Sequence, residues 1–194
     1  MEIKDSGSRR TFSSGAVRDD GGGQKGRVDL VPLGVVGAIM GDSILINLEV
    51  YMRTGNKACL VDIFKRFAIE HFGNVETAIL EVSKHYQNGA IKYKPRNWER
   101  GINLSSYVDS AGRHYLKVLR KDNDEPHDKA FLWNILGLLW SHGNLHDPEI
   151  FDLPFSESID IKKECYTNLA KGMNEDALNE FVSIWQKCHS EGAR

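Results

Sequence analysis

The chain has 194 residues, of which 41% are hydrophobic and 27% charged, as in an ordinary globular protein with a sizeable core. Its formal net charge of −2 excludes an overall electrostatic attraction to nucleic acid or to an anionic membrane, so that an anion site has to be local. The three widely spaced cysteines argue against a disulfide framework or a CxxC metal site and favour a reducing compartment.

The sequence predicts neither a membrane span nor a secretory signal. The longest apolar run, residues 135–140, is far too short to cross a bilayer. The first ten residues, MEIKDSGSRR, lack the apolar stretch of a signal peptide. We therefore expect a cytoplasmic protein without nucleic-acid or membrane partners.

The N-terminal residues 1–26 are rich in glycine, serine and charge, and this composition predicts a flexible basic arm. The chain then becomes apolar, and Pro32 lies where a helix can begin. Further along, Gly73 is expected to end one amphipathic helix and Asn74 to cap the next.

The second half of the chain also predicts helices. Ser105 or Ser106 can cap the segment that follows, and Pro126 lies at the first turn of the most apolar helix. Two more helices are expected at 158–171 and 174–189.

These patterns predict an all-α fold, a compact helical bundle with a flexible N-terminal arm and little or no sheet. The C-terminal helices could provide a homo-oligomer interface. The expected organisation is an arm at 1–26, a helical domain at 27–145 with an insertion near 41–74, and a C-terminal helical extension at 146–194.

The segment GAIKYKPRNWERG, residues 89–101, combines basic, aromatic and amide side chains at a predicted helix end. Cations are favoured at any helix C-terminus, which is the ordinary explanation for such a cluster. Pro95, however, forces the preceding residue out of helical geometry and makes the turn rigid. Arginine can bind phosphate through two parallel hydrogen bonds, and an aromatic ring can stack on a base. The candidate ligand-binding residues here are Lys92, Tyr93, Arg96, Asn97 and Trp98.

Two predicted helices carry further polar residues that could face one site. Asp109 and Arg113 are spaced i, i+4, which fits a helix ion pair or a carboxylate beside a phosphate-binding arginine. Asn134 lies in the most apolar helix, where a buried amide needs partners. If the two helices pack antiparallel, His114 and His127 could converge with it. We predict catalytic roles for Asp109, His114 and His127, and ligand binding by Arg113 and Asn134.

Metal-binding patterns are present but incomplete. His127 and Asp128 form the HD pair found in metal-dependent phosphohydrolases. Residues 125–128 match the ExxD half of a pyrophosphohydrolase motif, but the ExxE half is missing from the sequence. Glu81 and His85 share one helix face at i, i+4. We predict metal binding by Glu81, His85 and Asp128, with Mg²⁺ as the expected ion.

Four segments resemble a family of phage-encoded domains, the dATP/dGTP diphosphohydrolase N-terminal domain. They are FSSGAVRDDGGGQKGRVDLVP, NGAIKYKPRNWERGI, YVDSAGRHYLKVL and HDKAFLWNILGLL. The matching positions are Gly15, Ala16, Arg18, Asp19, Lys25, Arg27, Asp29, Pro32, Gly89, Ala90, Lys92, Tyr93, Arg96, Asn97, Trp98, Glu99, Gly101, Asp109, Ser110, Ala111, Arg113, His114, His127, Trp133 and Asn134. The chain departs from the family pattern at Lys94, which replaces a glycine, in the insertion near 41–74, and in the last fifty or so residues.

The resemblance implies a Mg²⁺-dependent diphosphohydrolase of purine (deoxy)nucleoside triphosphates, in the host bacterial cytoplasm. Arg18, Lys25 and Arg27 would then fold over the phosphates when ligand binds. The alternative is a protein that binds or sequesters a nucleotide, or another phosphate-bearing small molecule, without cleaving it, and so counters host nucleotide signalling. A third hypothesis is an interaction domain in which the motifs are structural.

Overall fold

A computed structural model describes residues 7–19 and 25–155 of the protein. The described residues form six α-helices, a two-stranded antiparallel hairpin and two short 3₁₀ helices. The predicted all-α class is therefore confirmed. The elements are β1 (Arg9–Thr11), β2 (Val17–Asp19), a first 3₁₀ helix (Val28–Leu30), α1 (Leu33–Met40), α2 (Ser43–Thr54), α3 (Lys57–Phe72), α4 (Val75–Tyr93), a second 3₁₀ helix (Asn97–Arg100), α5 (Leu104–Leu119) and α6 (His127–Asn144). The helices predicted at 158–171 and 174–189 lie outside the described residues.

The chain divides into two compact units. The first contains the residues up to Leu30 and the segment Phe64–Asp152, and therefore the hairpin, α4, α5 and α6. The second contains Val31–Ile63 and the described residues from Leu153 onward, and therefore α1 and α2. The segment 41–74, which the sequence suggests as an insertion, overlaps this second unit.

Within the first unit, α5 and α6 pack antiparallel around aromatic side chains. The rings of Tyr115 and Phe131 lie 5.2 Å apart, while Tyr107, nearer the start of α5, packs against Gly137, nearer the end of α6. Both tyrosines are buried, and Tyr107 can lie this close to α6 because Gly137 has no side chain. This packing places the polar residues of α5 opposite those of α6.

The predicted helix boundaries are correct at Pro32, Gly73, Asn74 and Pro126. Asn74 caps α4, since its side chain accepts a hydrogen bond from the Thr77 amide at 2.8 Å.

The expected cap of α5 at Ser105 or Ser106 is wrong. The helix begins at Leu104 after Asn103, and the side chain of Asp152 accepts a hydrogen bond from the Ser105 amide at 2.9 Å. The carbonyl of Ile150 accepts another from the Leu104 amide at 3.0 Å. The backbone amides at the start of α5 thus donate to a loop that is distant in the sequence. A local sequence pattern does not reveal such a contact.

The turn after α4 contains two non-glycine residues with positive φ. Lys94 has φ 74° and ψ 154°, a combination that is essentially restricted to glycine and costs on the order of 1–3 kcal/mol for other residues. Arg96 has φ 59° and ψ 25°, in the left-handed region. Lys94 stands where the family pattern has glycine, so the departure introduces backbone strain at this turn.

In the part of the chain that the structure describes, no helix is both long and apolar enough to cross a bilayer.

Candidate functional site

A pocket of about 540 Å³ opens in the first unit, between the hairpin, α4, α5 and α6. Basic side chains outnumber acidic ones on its walls. The basic residues are Arg10, Arg18, Lys25, Arg27, Lys92, Arg113 and Lys117, and the acidic residues are Asp19, Asp109 and Glu125. Aromatic surface comes from Phe12, Tyr93 and Trp133. A local excess of positive charge therefore exists in a protein whose net charge is slightly negative.

The N-terminal hairpin forms one wall of the pocket and is held by the turn after α4. The Asn97 side chain accepts a hydrogen bond from the Val17 amide at 3.0 Å and donates one to the Val17 carbonyl at 2.8 Å. Lys92 forms an ion pair with Asp19 at 3.2 Å, with both side chains largely buried. The hairpin lies within the arm that the sequence predicts as flexible, and these contacts explain its ordered position in the structure.

Arg18 extends from β2 into the interior of the pocket. Its guanidinium donates to the Ser106 carbonyl at 3.1 Å and to Asn134 Oδ1 at 2.5 Å. It also lies 5.4 and 5.5 Å from the ring centroids of Tyr107 and Trp133. Among the described residues no carboxylate forms an ion pair with it. Burial, with a smaller contribution from the charge of Arg113, lowers the pKa of Arg18 to about 10.

Arg113 and Asp109 form an ion pair one turn apart on α5, in the floor of the pocket. The other carboxylate oxygen of Asp109 accepts a hydrogen bond from the Val28 amide at 2.7 Å, which fixes the chain before α1. The Nε of Arg113 is buried and has no hydrogen-bond partner within the described structure. Asp109 is thus occupied by protein contacts, whereas Arg113 retains an unused donor.

His85 lies on α4 beside Trp133, with ring centroids 6.1 Å apart. Its Nδ1 is buried and unpaired with respect to the residues that the structure describes. Burial, together with the positive charges of Lys129 and Arg18, lowers the pKa of His85 to about 4. The imidazole is therefore neutral at pH 7 and lines the pocket as a neutral hydrogen-bonding group.

This low pKa predicts a specific loss of stability in acid. Between about pH 6.5 and 4 the unfolded chain binds a proton at His85 and the folded protein does not, so that lowering the pH favours unfolding. We expect His85→Gln to reduce the decline in unfolding free energy between pH 7 and pH 5 by about 2 kcal/mol. Urea unfolding of both proteins in EDTA at the two pH values measures this difference. An equal decline in wild type and variant would contradict it.

Two histidines and a glutamate converge where α5 meets the start of α6. The Nδ1 atoms of His114 and His127 are 3.0 Å apart, and Glu125 Oε1 lies 3.8 and 3.5 Å from them. His114 and Glu125 line the pocket, whereas His127 is buried behind them. Burial, with the charges of His127 and Arg113, lowers the pKa of His114 well below its ordinary value. Its neutral imidazole can accept a proton or bind a metal ion.

Most of the residues that the sequence predicts for the site do line this pocket. They are Arg18, Lys25, Arg27, His85, Lys92, Tyr93, Asn97, Asp109, Arg113, His114 and Asn134. Arg18 and Asn134 contact each other directly, and Lys92 and Asn97 use their side chains to hold the hairpin.

Other predicted residues are placed outside the pocket. Arg96 is largely exposed and pairs with Glu99, at a position where the backbone is left-handed. Trp98 packs between the rings of Tyr86 and Trp140, at 5.8 and 4.8 Å. This aromatic contact gives it a structural role in the described part of the chain.

Two of the predicted metal ligands are engaged elsewhere. Glu81 pairs with Lys84 and, at 2.6 Å, with Lys129. Asp128 accepts a hydrogen bond from the Lys129 amide in the first turn of α6. Neither carboxylate belongs to the metal-capable groups found among the described residues.

The site residues predicted from the sequence do not include Glu125, Lys117 or Trp133, although all three line the pocket. Glu125 could have been found from the acidic run before α6, where it forms half of an ExxD pattern. Nothing in the local sequence of Lys117 distinguishes it from an ordinary exposed helix lysine.

The helices that carry these residues lie in the part of the sequence that matches a known protein family. Residues 66–149 match the family model for dATP/dGTP diphosphohydrolase, N-terminal. This match confirms the resemblance over the C-terminal part of α3 and the whole of α4, α5 and α6. The hairpin and residues 25–32, which carry the first blocks of the resemblance, lie outside the matched diphosphohydrolase segment. No curated protein and no solved structure matches the chain.

Proposed function

We propose that the pocket binds a purine (deoxy)nucleoside triphosphate and that the protein hydrolyses it to a monophosphate and pyrophosphate, with consumption of one water. The observation that carries this proposal is the guanidinium of Arg18, which lies partly buried in the pocket wall and forms no ion pair with any described residue. A charge that is partly removed from water and has no counter-ion is costly, and a bound phosphate would supply that counter-ion.

The surrounding side chains support binding of a flat, polyanionic ligand. Arg113 lines the pocket with a buried Nε that has no partner among the described residues, and Lys117, which pairs with Asp124 at 3.4 Å, adds a second cation on the same helix. Tyr93 and Trp133 offer ring surface on the pocket walls for a base. Trp98, the other aromatic residue that the sequence suggests for this role, packs elsewhere, so Tyr93 is the proposed stacking residue.

Hydrolysis requires an activated water and neutralisation of phosphate charge. A divalent ion, Mg²⁺ by the family resemblance, would supply both by lowering the pKa of bound water and screening the phosphates. His114 and Glu125 are the residues on the pocket wall that could hold such an ion. We propose that Asp109 positions Arg113 through their ion pair and holds the Val28 amide in place.

Binding without hydrolysis is the second candidate function, and one observation favours it. Asp19 and Asp109, two of the three carboxylates that line the pocket, are occupied by Lys92 and Arg113. A site built from several free carboxylates, such as Mg²⁺-dependent pyrophosphohydrolases use, is thus not present in this pocket of the described chain. A protein of this kind would bind its nucleotide without cleaving it. Such binding is what a protein that counters host nucleotide signalling requires.

Calorimetric titration with dATP and dGTP, with and without a divalent ion, tests binding. We expect Arg113→Gln to weaken binding by about 10- to 100-fold, because a charge-assisted hydrogen bond contributes about 1.5–3 kcal/mol. Arg96→Gln is the matched control, since Arg96 is exposed outside the pocket, and its affinity should equal that of the wild type. Equal affinities for both variants, or no nucleotide binding at all, would contradict the proposal.

Product analysis separates the two candidate functions. Release of pyrophosphate and a monophosphate supports the hydrolase. Recovery of intact nucleotide after prolonged incubation with Mg²⁺ or Mn²⁺ would assign the sequestering function instead.

A further inference from the structure

We propose that His114, His127 and Glu125 form a two-histidine, one-carboxylate centre that binds a divalent transition ion such as Mn²⁺, Co²⁺ or Zn²⁺ in preference to Mg²⁺. The centre lies at the wall of the nucleotide pocket. Only the catalytic use of the ion rests on the proposed function, because metal binding itself requires no nucleotide.

The separations of the three donor atoms suit one shared ion. His114 Nδ1 and His127 Nδ1 are 3.0 Å apart, His127 Nδ1 lies 3.5 Å from Glu125 Oε1, and His114 Nδ1 lies 3.8 Å from it. Metal–ligand bonds of about 2.1 Å at tetrahedral or octahedral angles place neighbouring donors about 3.0–3.5 Å apart. The triangle observed needs only a small contraction at one edge to meet these values.

The hydrogen bond on the far side of His127 selects its metal-binding tautomer. His127 Nε2 lies 2.7 Å from Asp124 Oδ1, and an ionised carboxylate only accepts hydrogen bonds. The proton therefore sits on Nε2, and Nδ1 presents a lone pair towards His114 and Glu125. A carboxylate behind a histidine in this way is the usual means of orienting a metal ligand and raising its basicity.

The chemistry of the donors decides the class of ion. Mg²⁺ prefers oxygen ligands in near-ideal octahedral geometry, whereas imidazole nitrogen favours later divalent ions. Two of the three donors here are imidazoles. This donor set therefore disagrees with the Mg²⁺ that the family resemblance implies.

Two neighbouring arrangements involve the same side chains. Asp122, Asp124 and His127 form a second metal-capable group, but Asp122 is held by Arg120 and His127 would contribute its protonated Nε2. Lys117 Nζ forms a long salt bridge of 3.9 Å with Glu125 Oε1, beyond hydrogen-bonding distance, and lies nearer to Asp124 Oδ2, at 3.4 Å. The alternative state of the histidines is a metal-free pair in which His114 Nδ1 donates to His127 Nδ1.

Titration of the full-length, EDTA-treated protein with Mn²⁺, Co²⁺, Zn²⁺ and Mg²⁺, without nucleotide, tests the proposal. We expect one ion per chain, at least tenfold tighter binding of Co²⁺ or Zn²⁺ than of Mg²⁺, and a visible absorption spectrum of histidine-bound Co²⁺. His114→Gln and Glu125→Gln should each weaken binding by at least tenfold. His146→Gln, at an exposed histidine, is the matched control and should leave the affinity unchanged.

The outcomes separate this inference from the proposed function. Absence of metal binding, or binding that His114→Gln leaves intact, overturns the inference even if the protein hydrolyses nucleotides. Metal binding that depends on both residues supports it even if no nucleotide is cleaved. Circular dichroism and thermal unfolding of His114→Gln confirm that a lost affinity does not reflect unfolding, since the His114 side chain is 15% exposed and the buried His127 is left in place.

Discussion

Replacement of Asn134 by leucine is expected to lower the free energy of unfolding by about 2–3 kcal/mol and to abolish nucleotide binding. Asn134 is 1% exposed, and its Oδ1 accepts a hydrogen bond from Arg18 at 2.5 Å while its amide donates to the Ala130 carbonyl. Leucine has a similar size but no acceptor, so that the guanidinium of Arg18 loses a partner. Urea unfolding and calorimetric titration with dATP measure the two effects.

Asn134→Asp provides the matched comparison. Aspartate keeps the acceptor and adds a negative charge beside Arg18, but it loses the donor to the Ala130 carbonyl, so the folded protein should be less destabilised than Asn134→Leu at pH 7. The same charge would neutralise Arg18 and repel phosphate, and we expect dATP affinity to fall by at least tenfold, roughly the effect of 1.4 kcal/mol. Unchanged dATP affinity in Asn134→Asp would show that Arg18 does not bind the phosphates.

Gly137→Ala is expected to destabilise the protein by about 2–3 kcal/mol. A Cβ at this position of α6 would lie 2.6 Å from Cζ of Tyr107 and closer still to Cε1. Tyr107 is completely buried and lies beneath Arg18, so it cannot move aside without disturbing the pocket. Thermal and urea unfolding measure the loss of stability, and dATP titration reports the effect on the pocket.

Gly143→Ala in the same helix is the control for helix propensity. No atom lies within 4 Å of a Cβ at Gly143, and alanine is favoured over glycine in a helix by up to about 1 kcal/mol. This variant should be slightly more stable than the wild type. A stabilising effect of Gly137→Ala as well would contradict the close packing of α5 on α6.

The helical framework was predictable because its signals are local. Apolar residues at helical spacing, the cap at Asn74 and the proline at Pro126 act within one or two turns of the chain, and the structure confirms each. The start of α5 was not predictable in the same way. Its cap depends on Asp152, which approaches only after the chain has folded.

Some of the residues that line the pocket were predictable from their chemical type alone. Residue types that bind phosphate or bases pointed to Arg18, Lys92, Tyr93 and Arg113, and all four line the pocket. The same reasoning included Arg96, although the turn after α4 directs that side chain into solvent. A side chain's direction depends on backbone conformation and packing, which composition does not specify.

By itself, the sequence determined the helical class, the family resemblance now confirmed over residues 66–149, and a set of cationic and aromatic candidates. Only the tertiary structure decided which of them share a pocket, that Asn97 holds the hairpin, and that Glu125 meets His114 and His127. The physical reason is that helix formation follows from contacts a few residues apart. The site depends on distances between α4, α5, α6 and the N-terminal hairpin, which only the packed core establishes.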